Sequence, residues 1–162
     1  MGTETKPDGR PAGRAQTLRM QGLVNVLMRT ALSTPGMAKG IGRRMILLYV
    51  VGRNTGKRYA IPVAYMEYEG KVLLGTQFPW VRNLRTGERI EVRYKRKVRT
   101  AEVEVVEEED RVVELFEIMC RDNHAFAKFH NIDVDGKGEP DPAAVREAYR
   151  LGARAILLTP TR

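Results

Sequence analysis

Residues 52–58 read Gly-Arg-Asn-Thr-Gly-Lys-Arg, which gathers Arg53, Asn54, Thr55, Lys57 and Arg58 around Gly52 and Gly56. Three cations, a hydroxyl and an amide in one tight turn make a donor set suited to phosphate. Turn glycines expose backbone N–H groups beside the positive charges. The same residues would equally make a plain surface hairpin turn. A second cluster follows at Leu74-Gly75-Thr76-Gln77, where small residues end a strand and give a ligand close access to the backbone. Trp80, within Pro79-Trp80-Val81-Arg82-Asn83-Leu84, offers either a flat apolar wall for a ring or an anchor for the core.

Other chemistries fail on spacing. Gly52 and Gly56 enclose three residues where a Walker loop has four, and Tyr59 stands two places after Lys57 with no hydroxyl residue between. Asp133-Val-Asp135 begins like a calcium loop, but its fifth position is Lys137 and its twelfth is Ala144, where a bidentate Glu is needed. His124 and His130 are six residues apart and Cys120 is the single cysteine, so no metal site is expected. No Ser–His–Asp spacing or carboxylate dyad supports hydrolysis, and no catalytic acid or base is assigned.

The elements that must position these residues are mostly strands. Apolar positions recur at helical spacing over 16–32, and Thr34-Pro35-Gly36 stops that helix. The run Arg44–Val51 reads as a buried strand, Arg58–Tyr68 as a second, and Glu69-Gly70 turns into Lys71–Gly75. Pro79–Arg85 suits one or two helical turns. Arg89–Tyr94 and Val98–Val106 form a hairpin across Lys95-Arg96-Lys97. Helices are expected over 108–121, 123–130 and 142–151, then a last strand over 153–158. About six strands joined by hairpins, with an N-terminal helix and helices before the last strand, predict an α+β fold built on a split antiparallel β-barrel.

With 162 residues and 43% hydrophobic composition, the chain suits a single domain over 16–162 behind a mobile tail of residues 1–15. One cysteine and no long apolar run predict a reduced, cytoplasmic protein. The first hundred residues carry 20 basic and 6 acidic groups, whereas the remainder carries 8 and 14. That asymmetry calls for an anionic partner on the face built by the first hundred. Nucleic acid is disfavoured because, apart from Tyr94, aromatics do not interleave with the basic run Arg93–Arg99. Peripheral membrane contact by the Arg-flanked N-terminal helix stays open, as does a choice between monomer and homodimer.

The stretch Leu47–Arg58, the following Pro62, and Pro79-Trp80-Val81-Arg82-Asn83-Leu84 resemble the deazaflavin-dependent nitroreductase family. These are split β-barrel oxidoreductases that use coenzyme F420. The family reads LLTTTGRKSGKPR…P and then PxWxxNLxxxP, and the order of elements over about 18–160 is similar. The resemblance implies hydride transfer between F420 and a small organic acceptor. It implies that Arg53, Asn54, Thr55, Gly56, Lys57 and Arg58 grip the cofactor phosphate. Pro62, Val63, Ala64 and Tyr65, with Gly75, Thr76 and Gln77, would border the deazaflavin, and Trp80 and Asn83 would line its ring and ribityl chain. Tyr65, Phe126, Phe129 and His130 would wall the substrate. FMN or haem on the same barrel is one alternative, and a non-catalytic F420-binding protein is another. Asn54 stands where many members have Lys, and Tyr59 where they have Arg. Arg58 comes one place earlier, and strand alternation sets it on the opposite face from Tyr59 unless the turn rearranges.

Overall fold

The computed structural model describes residues 44–162. The expected tail (1–15) and N-terminal helix (16–32) lie outside the described residues. In chain order come β1 (Met45–Val51), β2 (Arg58–Ala64), β3 (Met66–Tyr68) and β4 (Lys71–Thr76), then a 3-10 turn (Pro79–Asn83). They are followed by β5 (Arg89–Tyr94), β6 (Lys97–Val106), α1 (Glu109–Asp122), α2 (His124–Phe129), α3 (Pro142–Arg150) and β7 (Arg154–Pro160).

All neighbouring strands pair antiparallel, in the order β2-β1-β5-β6-β7-β4-β3. β2 and β3 therefore sit at opposite edges, yet Tyr65 alone separates them in the chain. A single residue cannot cross a flat sheet, so the sheet must curl until its two edges meet. The result is a split barrel, with seven strands instead of the expected six because Tyr65 breaks the 58–68 run in two.

Alternation sorts each strand. Ile46, Leu48 and Val50 of β1 point inward with Ile61, Val72, Leu74, Val92, Ile156 and Leu158. On the other face of β4 and β7, Leu73, Ala155 and Leu157 pack beneath Leu115, Phe116 and Met119 of α1. Each of these helix starts is capped: Glu108, Asn123 and Asp141 side chains accept from the first free N–H groups of α1, α2 and α3.

The β5–β6 connection is tighter than the expected Lys95-Arg96-Lys97 loop. Tyr94 pairs with Lys97, leaving a two-residue turn in which Lys95 (φ 48°) and Arg96 (φ 64°) are both left-handed. That geometry follows the sheet's own twist. Among the described residues, no helix is long and apolar enough to cross a membrane.

Candidate functional site

The turn after β1 closes on itself first. Gly52 N–H donates to the Lys57 carbonyl and Gly56 N–H to the Gly52 carbonyl, each at 2.8 Å. Thr55 Oγ1 accepts from the Lys57 amide at 3.3 Å and lies 3.5 Å from the Tyr59 hydroxyl. Gly56 has φ +65°, and a Cβ placed on it would meet nothing within 4 Å, so the left-handed backbone at this point faces open space.

The turn is then tied to the Trp80 segment, 30 residues away. Arg53 N–H donates to Asn83 Oδ1 at 3.1 Å, and its guanidinium Nη2 reaches the Asn83 carbonyl at 3.5 Å. Asn83 Nδ2 in turn donates to the Trp80 carbonyl at 3.1 Å. The two motifs singled out in the sequence thus form one structural unit. Asn83 is a tie between them, its carboxamide engaged at both ends.

The arginines of the turn have different surroundings. Arg53 Nη2 lies 3.7 Å from Glu88 Oε1, whereas Arg58 pairs with Glu91 and stacks over the Tyr49 ring at 4.2 Å. The register explains this: Val51 opposes Arg58 and Tyr49 opposes Glu91, so all four share the face opposite Ile46 and Leu48. Tyr59 packs with the interior cluster. The expected strand alternation holds, and it takes Arg58 out of the turn's donor set. Lys57 has no ion pair among the described residues. Asn54 is exposed beside it.

The second motif meets a gap in the barrel wall. Among the described residues β2 pairs only with β1, and β3 stops the ladder on β4 at Met66–Leu73. Continuing that register would set Thr76 opposite Val63. Pro62, Val63, Ala64 and Tyr65 therefore lie along one side of the split, and Gly75, Thr76 and Gln77 end the strand on its other side. Thr76 is buried, its Oγ1 accepting from Phe78 N–H at 3.0 Å. Trp80 is 2% exposed and packs inside the barrel. Its indole Nε1 and the Gln77 Nε2 are buried donors without a partner among the described residues. Tyr65 stacks edge-on against Tyr94 with centroids 5.3 Å apart.

Three expectations change here. A Cβ on Gly75 would lie 2.8 Å from Met119 Cε and 2.9 Å from Phe116 Cε2, so its missing side chain makes room for α1, not for a ligand. His130 is 5% exposed and held among the Phe116, Phe126 and Phe129 rings, centroids 4.5–5.3 Å away. Burial pushes its imidazole down to about 4, so it is a neutral core residue and no substrate wall. Phe126 packs on the α1 cluster, and Phe129 leaves it to meet Phe78 at 5.8 Å. Cys120 is buried, its thiol pushed up to about 12 by desolvation.

A cleft of about 450 Å³ lies elsewhere, lined by Glu117, Arg121, Asp133, Asp135, Glu139 and Asp141. Its carboxylates do not suit an anionic ligand. No metal-holding group of His, Cys, Asp or Glu occurs among the described residues. Sequence reasoning missed Glu88 and Glu91 as partners of the turn. Glu91 could be found only from strand register, and Glu88 has no local signal at all.

A split antiparallel barrel whose cationic turn is tied to an aromatic loop at the edge gap has the parts of a phosphate-and-ring cofactor site. The chain belongs to the F420H(2)-dependent quinone reductase family, whose signature matches residues 23–133. It is therefore an oxidoreductase that uses coenzyme F420. No curated protein matches the chain. A solved structure similar to it is a conserved hypothetical protein, Rv2991, from Mycobacterium tuberculosis, with 13% identity, a TM-score of 0.43, and coverage of 80% of this chain and 81% of that one.

The residues present fit this cofactor. A phosphodiester matches the side chains of Arg53 and Lys57, while the Gly52, Arg53, Gly56 and Lys57 amides are engaged in holding the turn itself. The carbonyl-bearing edge of a deazaflavin matches the unpartnered donors Gln77 Nε2 and Trp80 Nε1.

Proposed function

We propose that this enzyme transfers a hydride from F420H2 to a quinone, with the cofactor phosphate in the 52–57 turn and its ring along the β2–β4 gap. One observation carries the reading: the Arg53–Asn83–Trp80 chain of hydrogen bonds brings a phosphate-type turn and a ring-type loop to one place. When bound, reduced F420 supplies the hydride, and the quinone takes it up with one solvent proton to become the hydroquinone.

The protein's part is to bind and orient. Arg53 and Lys57 neutralise the phosphate, with Thr55 shaping the turn beside them. Gln77 and Trp80 offer N–H donors to ring carbonyls in a buried setting, where a hydrogen bond is stronger than in water. Val63 and Tyr65 give the gap an apolar and aromatic border against water. The acceptor reaches the exposed ring face, and Tyr65 is the residue assigned to that side.

The test is oxidation of F420H2 by the purified protein with a soluble quinone and a nitroaromatic in parallel. The reading predicts a kcat/KM for the quinone at least about tenfold higher, a difference of ~1.4 kcal/mol in transition-state stabilisation. Equal rates, or preference for the nitro compound, contradict it.

A further inference from the structure

We infer that Glu88 is a built-in competitor for the cofactor-binding guanidinium of Arg53, and so sets how tightly the cofactor phosphate is held. This rests on the proposed seat of the phosphate in the 52–57 turn.

The Glu88 carboxylate is placed deliberately. Its Oε2 accepts the Arg85 N–H at 3.2 Å, and its Oε1 faces Arg53 Nη2 at 3.7 Å. The Glu88 amide donates to the Arg85 carbonyl at 3.1 Å and its carbonyl accepts the Val103 N–H at 2.9 Å. A backbone fastened on both sides presents the carboxylate to the one arginine of the turn that faces the Trp80 loop. The Arg53 side chain is less exposed than that of Glu88, 29% against 45%, so water reaches the pair mainly from the acid's side.

An anionic phosphate arriving at Arg53 meets a guanidinium already shared with a carboxylate and with the Asn83 carbonyl. Binding must loosen the first of these contacts. The acid thereby orients Arg53 when the site is empty and lowers net affinity for phosphate. Arg58 makes the contrast. Glu91 pairs with it on the other face, where Tyr49 also stacks on it, away from the turn's donors.

The experiment is a double-mutant cycle read by F420 fluorescence titration of the full chain, with Tm recorded for each variant. Glu88→Gln keeps an oxygen for the Arg85 amide and removes the charge. It is expected to tighten F420 binding roughly twofold to fivefold, the scale of a partly exposed ion pair. In an Arg53→Ala background the same substitution is expected to change affinity by less than about 1.5-fold. Glu91→Gln, the control, is expected to leave affinity unchanged. Weaker or unchanged binding in Glu88→Gln overturns the proposal, as does equal tightening with and without Arg53, which would make Glu88 a general repulsive charge. If Arg53→Ala itself leaves affinity unchanged, the seat of the phosphate is wrong and the proposal falls with it. If Arg53→Ala weakens binding while Glu88→Gln does nothing, only the role of Glu88 is lost.

Discussion

Asn83 spends both ends of its carboxamide on backbone, taking the Arg53 N–H on Oδ1 and giving Nδ2 to the Trp80 carbonyl, each at 3.1 Å. One side chain thus holds the turn after β1 against the loop after β4. Asn83→Ala removes both bonds and leaves two backbone groups to find water. The expected cost is about 1–2 kcal/mol of stability, together with weaker F420 binding as the two halves of the site drift apart. Asn83→Asp keeps the acceptor for Arg53 but turns an oxygen toward the Trp80 carbonyl and adds a negative charge beside the phosphate seat, so its affinity should fall at least as far as that of Asn83→Ala. Urea unfolding and F420 titration of all three proteins check this order. Normal affinity in Asn83→Ala would show that the tie has no bearing on the cofactor.

Arg58 is paired with Glu91 and stacked on Tyr49 outside the turn's donor set. Arg58→Ala should leave the F420 dissociation constant within about twofold, and cost no more than about 1 kcal/mol of stability for an exposed pair. A tenfold loss of affinity would mean that the turn rearranges on binding and brings this guanidinium round.

Gly75→Ala should destabilise the protein while sparing the cofactor. The new methyl meets Phe116 and Met119 closer than 3.0 Å. The Met119 tip can move cheaply, but the Phe116 ring is fixed among buried neighbours, so a cost of about 1–3 kcal/mol is expected. Thermal unfolding measures the first part and F420 titration of the folded protein the second.

The buried His130 makes stability depend on pH. Its folded-state pKa is lowered to about 4 from 6.5, so between these values the unfolded chain binds more protons than the folded one. Its contribution is fully present above pH ~6.5 and is lost as pH falls toward ~4. The loss is on the order of 3 kcal/mol. Urea unfolding of wild type and His130→Phe at pH 7, 6 and 5 should show a shallower decline in the variant. Parallel curves would remove His130 as the cause.

Much of this was legible in the residues. Runs of strand-forming residues between turns predicted the strands, alternation predicted the opposite faces of Arg58 and Tyr59, and helices were expected close to where α1, α2 and α3 lie. The seventh strand was hidden because Tyr65 is itself a good strand former, and only barrel closure makes it a break. Gly75 and His130 misled for a common reason. A small residue at a strand end and a histidine between aromatics look the same whether a ligand or a helix covers them, and α1 and α2 cover both here. The Arg53–Glu88 pair is set by tertiary contact alone.

The central claim is that the 52–57 turn holds the phosphate of F420. It is tested most directly by titrating wild type and the Arg53→Ala/Lys57→Ala double variant with F420 at matched ionic strength, with Tm recorded for both. Two charge-assisted bonds at roughly 1.5–3 kcal/mol each predict a loss of about a hundredfold or more. The salt dependence should be shallower and Tm nearly unchanged. An affinity within about twofold of wild type, in a protein of unchanged Tm, would contradict the account.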